Sequence, residues 1–186
     1  QASFIRALRA ATPEDAIVVA DMTQIGYYTR PFWPVYRPRT YLTSSYSGNL
    51  GFAYPTALGA KVACPDQVVV AIVGDGGFLY NVQELATAVR YGINVVALVF
   101  NDHAYGNVAR DLDEAWGGAH GTDLHNPDFL RLAEAFGARG LRATGPADLG
   151  HVIQQAIRLD QPVLVEVPVG RMPRPVFFGA PRKPSR

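Results

Sequence analysis

Three unbroken apolar runs constrain this chain more than any other feature: residues 16–20 (AIVVA), 68–73 (VVVAIV) and 95–100 (VVALVF), with a last strand expected at 163–167 (VLVEV). A strand with one wet face alternates apolar and polar residues, so a continuous run of this length predicts a strand buried on both faces. Between the runs lie stretches with helical spacing. Phe4, Ile5, Leu8 and Ala11 predict a first helix, ended by residues 12–15 (TPED). Further helices are expected at about 52–63, at 82–90 with Gly92 closing it, at 127–136 and at 146–159, with a short strand near 139–143. Buried strands alternating with helices predict an α/β fold: a three-layer α/β/α sandwich around a mostly parallel, doubly wound central sheet. Residues 21–39 are aromatic and contain Pro31, Pro34 and Pro38, which predicts a long irregular connection. Residues 43–51 are expected to be a small-residue loop, and another loop should follow Asn101-Asp102.

The length of 186 residues fits one domain, expected over 1–170, followed by a Pro-rich tail at 171–186 that is disordered or draped. That tail holds Arg171, Arg174, Arg182, Lys183 and Arg186 and no acid. The formal net charge of the chain is only +1, without the basic excess of a nucleic-acid or membrane-surface binder. No apolar run is long enough for a transmembrane helix. The single cysteine, Cys64, follows a helix, has no basic neighbour and is expected to be a buried, inert thiol in a reducing, cytoplasmic setting. The chain opens on Gln1 inside a helical pattern, which reads as a cut or processed end.

In doubly wound sheets ligands sit beyond the carboxyl ends of the strands, at a switch in strand order. That rule points to Asp21, residues 74–77 and residues 101–105. Gly74-Asp75-Gly76-Gly77 reads either as a tight turn, with Asp75 or Asn81 capping the next helix, or as a phosphate cradle. It is not a dinucleotide fingerprint, because Leu79 stands at the third glycine position, and no Gly-Lys-Ser/Thr follows as in a P-loop. An aspartate inside a phosphate cradle makes sense when a divalent cation bridges the two. Asp102 lies 27 residues after Asp75, one helix and one strand later, so adjacent parallel strands would bring both carboxylates to one edge. With a main-chain carbonyl and phosphate oxygens they form the hard-oxygen set that Mg²⁺ requires.

The segment GDGGFLYNVQELATAVRYGINVVALVFNDHAYGNV resembles the cofactor motif of thiamine-diphosphate-dependent enzymes, which opens on GDG and closes on NN under thirty residues later. The resemblance extends over roughly residues 16–167 and looks closest to the acetolactate synthase and benzoylformate decarboxylase branch, in its C-terminal, diphosphate-binding domain. It implies thiamine diphosphate and Mg²⁺ as cofactors. The metal ligands would be Asp75, Asp102 (where the family more often has Asn) and the carbonyl of Ala104, with Gly74, Gly76, Gly77, Tyr105 and Gly106 around the diphosphate. Upstream, GNLGFAYPTALGA at 48–60 looks like the family's second segment. By that likeness the Gly48 carbonyl accepts from the cofactor's 4′-amino group, Asn49 lies beside it, and Leu50 pushes between the two rings. Asp21-Met22-Thr23-Gln24 matches a diphosphate-contacting segment, which makes Gln24 a further candidate. Val108 stands where pyruvate decarboxylases carry an acid on the helix after the motif, which argues against a simple pyruvate decarboxylase.

The resemblance also implies what is missing. The activating glutamate of the family sits on a pyrimidine-binding domain, and nothing here matches its surroundings; Glu84, Glu114, Glu134 and Glu166 read as solvated or structural. No catalytic residue is therefore expected in this chain. Its partner would be a pyrimidine-binding domain of the same or another subunit, in a homodimer or homotetramer, with a 2-oxo acid as substrate. The chain is then a piece of a longer polypeptide or a natural small subunit, inactive alone. A nucleotide- or NAD-binding α/β domain and a non-catalytic cofactor-binding relative are the alternatives. His120 and His125 read as members of a mobile loop rather than a zinc pair, and His103 as facing either substrate or solvent. Tyr27, Tyr28, Phe32, Trp33 and Tyr36 read as a surface for the absent domain.

Overall fold

A computed structural model describes residues 1–44 and 47–173. Its strands are β1 Ile17–Ala20, β2 Tyr41–Thr43, β3 Val69–Gly74, β4 Val95–Asn101, β5 Arg139–Arg142 and β6 Val163–Pro168. Its helices are α1 Ala2–Ala11, α2 Gln24–Phe32, α3 Ala53–Ala63, α4 Asp75–Leu79, α5 Glu84–Tyr91, α6 Gly106–Trp116, α7 Phe129–Ala135 and α8 Pro146–Arg158. The strands form one wholly parallel sheet in the order β2-β1-β3-β4-β6-β5, between two helical layers. This is the expected three-layer α/β/α fold.

The unbroken apolar runs serve two cores at once. Val18 and Ala20, Val70 and Ile72, and Val96, Leu98 and Phe100 join α1, α2 and α8 on one face. Ile17 and Val19, Val69, Ala71 and Val73, and Val95, Ala97 and Val99 pack on the other face with α3, α5 and α7. The chain leaves β1 outward to β2 and returns to the far side of β1 as β3, so strand order reverses between β1 and β3. Loops after these two strands diverge and leave a crevice at their carboxyl ends.

Three expectations are corrected. Residues 24–32 are helical rather than irregular: Pro31 falls in the last turn of α2, and the Trp33 N–H still reaches the Thr29 carbonyl at 2.8 Å. Helix α6 occupies much of the stretch after Asp102 that the apolar pattern assigns to a loop. Both helices break the apolar pattern: beside Ile25, α2 buries Gln24, Gly26 and Thr29, and α6 buries Gly106 and Arg110 while Val108 and Trp116 are exposed. The third correction is β2, a three-residue edge strand paired only with β1.

Smaller differences follow. Neither Asp75 nor Asn81 caps α5, because α4 intervenes and Asn81 bonds the Gly51 carbonyl instead. Cys64 is half-buried, at the end of α3. Trp33 is buried, with the Arg9 guanidinium over its ring at 5.0 Å and over that of Tyr36 at 5.2 Å, whereas Phe32 and Tyr36 are exposed. Arg171 pairs with Asp113 and Met172 is buried in the first core, so the chain is packed as far as these residues; Arg174, Arg182, Lys183 and Arg186 lie outside the described residues. No described helix is long and apolar enough to cross a membrane.

Candidate functional site

The crevice between β1 and β3 is a cleft open to solvent. Gln24, Leu50, Gly74, Asp75, Gly76, Gly77, Asp102, Ala104, Tyr105 and Gly106 all line it, with Asp21, Met22, Thr23, Asn107 and Val108. Gly48 and Asn49 stand beside it. Gly48 has φ +61° and is backed by the Met22 side chain, and Asn49 is exposed, its N–H 3.3 Å from Ser44 Oγ. Four residues from Gly74 to Gly77 present almost no side chain except Asp75, so a ligand there meets main chain. Gly76 is crowded: a Cβ would lie 2.6 Å from the Tyr105 ring and 3.0 Å from Leu124.

Parallel pairing of β3 with β4 places Gly74 opposite Phe100, which carries Asp75 and Asp102 to the same edge. Asp75 is 2% exposed, and no ion pair among the described residues reaches either carboxylate. Burial, then the charge of Asp75, push the Asp102 carboxyl up from 3.8 to about 6. Two close carboxylates without a counter-ion could hold a divalent cation. Each is held by a neutral amide: Asn126 Nδ2 donates to Asp75 Oδ2 at 2.6 Å, and Gln24 Nε2 donates to Asp102 Oδ2. No group of three or more His, Cys, Asp or Glu suited to a metal occurs among the described residues.

Gln24 is committed at both ends, since its Oε1 accepts the Met172 N–H at 2.9 Å. Its amide therefore orients Asp102 and ties the segment after β6 to the cleft. Beside Asp102, α6 begins at Gly106 with no side-chain cap. Buried Oδ1 atoms of Asn107 and Asn126 have no hydrogen-bond partner.

Leu50 is placed by its neighbour. The Gly51 N–H donates to Asp21 Oδ2 at 3.0 Å, and the Gly51 carbonyl accepts from Asn81 Nδ2 at 2.7 Å. Asp21 is itself buried, which raises its carboxyl despite main-chain donors from Met22, Gly51 and Ala53. This clamp fixes the loop before α3 against β1 and α4.

Sequence reasoning missed the loop that folds over the motif. Tyr105 N–H bonds the Thr122 carbonyl at 2.8 Å, Leu124 N–H bonds the His103 carbonyl at 2.7 Å, and Ala104 bridges to Asp123. The loop delivers Asn126 to Asp75. The only signal for it was Asn126's position just before the helix-starting Pro127-Asp128, which says nothing of a site. His103, His120 and His125 are exposed. No glutamate lines the cleft; Glu166 is buried, accepting from Asn101 at 2.8 Å and from Arg142 at 2.9 and 2.7 Å.

A pH consequence follows. The folded-state value of Asp102 lies above the ordinary 3.8, so its stabilising contribution is complete below about pH 4 and is lost as pH rises through 6. In EDTA at pH 7.5, Asp102→Asn is expected to melt higher than wild type, by about 1–2 kcal/mol once screening of the part-exposed carboxylate is allowed for. The difference should vanish near pH 4. Equal stabilities at both pH values would remove the charge conflict.

Residues 21–167 match the family model described as thiamine pyrophosphate enzyme, C-terminal TPP binding domain. Acetolactate synthase of Bacillus subtilis (strain 168) is 35% identical over 166 residues, covering 89% of this chain and 29% of the relative. Acetolactate synthase isozyme 3 large subunit of Escherichia coli (strain K12) is 35% identical over 172 residues, covering 90% and 30%. Among solved structures, the Rhodococcus jostii RHA1 thiamine diphosphate-dependent 4-hydroxybenzoylformate decarboxylase superposes with a TM-score of 0.83 at 32% identity, over 92% of this chain and 32% of that one. The chain thus spans under a third of the length of these relatives.

Proposed function

The chain belongs to the thiamine pyrophosphate enzyme family as a C-terminal TPP-binding domain of the acetolactate synthase-like kind, and on that premise we propose that it grips the diphosphate of thiamine diphosphate through Mg²⁺. The observation that carries this reading is the cleft's charge arrangement: two carboxylates with no counter-ion stand beside the glycine main chain of residues 74–77 and an uncapped helix N-terminus. A cation with a bound anion satisfies both sides, and the unpaired oxygens of Asn107 and Asn126 add acceptors for water in the shell.

In this reading Asp75, Asp102 and the Ala104 carbonyl hold Mg²⁺. The main chain of Gly74, Gly76 and Gly77, with Tyr105 and Gly106, receives the diphosphate, and Gln24 acts by orienting Asp102. The Gly48 carbonyl, with Asn49 beside it, would accept from the aminopyrimidine, and Leu50 would pack against the cofactor's rings. When bound, the cofactor supplies a carbon nucleophile and electron sink for cleaving the bond next to a 2-oxo group. This chain's residues would position it, with its activation left to a glutamate from elsewhere.

The substrate class proposed is a 2-oxo acid, decarboxylated or carboligated, with the site completed by a pyrimidine-binding domain in a homodimer or homotetramer. Residues 1–170 form the working domain in this reading and 171–186 its tail, in a cytoplasmic enzyme that is inactive as this domain alone. Exposed Phe32 and Tyr36 give the partner domain an aromatic surface.

The test is CO₂ release from pyruvate and benzoylformate by the complete enzyme, wild type and Leu50→Gly. Wild type should turn over. Leu50→Gly should lose about 100-fold in turnover, the scale of misplaced reacting groups, while its affinity for thiamine diphosphate changes little. Unchanged turnover removes the ring-bending role, and an inactive wild type that still binds the cofactor favours a non-catalytic relative.

A further inference from the structure

Asn126 reaches the cleft from a loop outside both motifs, and its surroundings define which way its amide points. Nδ2 meets two acceptors, Asp75 Oδ2 at 2.6 Å and Asn101 Oδ1 at 2.9 Å. A flipped amide would set its oxygen against both, so the orientation is unambiguous. Asn101 is fixed in the same manner. Its Nδ2 donates to Glu166 Oε1 at 2.8 Å, its Oδ1 also accepts the His103 N–H at 3.2 Å, and Glu166 is anchored by both Nε and Nη2 of Arg142. The chain of bonds runs from a half-exposed arginine at the sheet edge, through a buried carboxylate and two amides, to Asp75. Every donor in it has one place to point.

We propose that Asn126 is a positioning residue of the metal site: Nδ2 fixes the Asp75 carboxylate, and the buried, unpaired Oδ1 accepts from a water of the cation's shell. The proposal rests on the Mg²⁺ reading above and extends it to a residue outside the motifs. A neutral amide suits the task. A lysine or arginine there would neutralise Asp75 and weaken its hold on a cation, whereas an amide orients the carboxylate and leaves its charge intact.

The experiment titrates Mg²⁺, and separately Ca²⁺, into the complete enzyme with thiamine diphosphate present, following binding by calorimetry in wild type and Asn126→Ala. The half-saturating Mg²⁺ should rise about 10–100-fold, the usual effect of removing a group that orients a metal ligand. For Ca²⁺, whose larger and looser shell tolerates a displaced oxygen, the rise should be smaller. An unchanged Mg²⁺ requirement would overturn the proposal, as would equal losses for both ions, which mark a loop-packing role only. Where Asn126→Ala fails to fold, Asn126→Ser keeps one short donor and carries the same criteria. A wild type that binds no cofactor with Mg²⁺ would instead sink the underlying metal reading, a distinct result.

Discussion

Asp75→Ala is expected to abolish Mg²⁺-dependent binding of thiamine diphosphate while leaving the fold intact. Asp75 is buried at the start of α4, and its charge is the chief neighbouring cause, after burial, of Asp102's raised proton affinity. Removing it takes away one of two anionic ligands and the group that Asn126 holds. The loss of affinity should exceed the roughly 100-fold ceiling seen when only an orienting group is removed. Stability should not suffer in proportion, because Asp102 then ionises without a like charge beside it. Calorimetry with thiamine diphosphate and Mg²⁺, paired with a thermal melt in EDTA, checks both halves. Wild-type affinity in a well-folded variant would refute the metal assignment.

Gly106→Ala should be nearly as damaging, although alanine is the better helix former by about 1 kcal/mol. A Cβ at Gly106 would run into Asp102 Oδ2 and lie 2.6 Å from Gln24 Nε2. These two groups make the hydrogen bond that orients Asp102, so one must leave its place. Overpacking of this kind costs about 1–3 kcal/mol, which roughly offsets the gain in helix propensity. The melting temperature is thus expected to change little while the half-saturating Mg²⁺ rises at least 10-fold, as for loss of an orienting partner. Gly59→Ala in α3 is the control: nothing lies within 4 Å of its added carbon, so it should leave Mg²⁺ affinity untouched. An unchanged Mg²⁺ requirement in Gly106→Ala would mean that Asp102 tolerates displacement and is not a ligand.

The difference between what was legible in the sequence and what was not has a physical pattern. Strands β1, β3 and β4 were plain, because a strand packed on both faces reads as a continuous apolar run, and β6 departs from this only at Glu166, which pairs with Arg142. The two helices at the cleft, α2 and α6, were not read from apolar spacing, because the faces they bury carry Gln24, Thr29 and Arg110. Elements that build a polar site break the pattern that reveals elements elsewhere. Asp75 and Asp102 were legible as a pair through their spacing and the parallel pairing it implies. Asn126 was not, because it enters by the Thr122 and Leu124 hydrogen bonds of a loop whose course no local rule dictates. Gln24 was picked out for the diphosphate, yet both ends of its amide are already engaged, by Asp102 and by Met172.

In the proposed reading this cleft holds thiamine diphosphate through a divalent cation bound by Asp75 and Asp102. Calorimetric titration of thiamine diphosphate into the protein, first with Mg²⁺ and then with EDTA, tests it most directly. The account predicts saturable heat with Mg²⁺ and none with EDTA. Equal binding in EDTA, or no binding in either buffer by the complete enzyme, would contradict it.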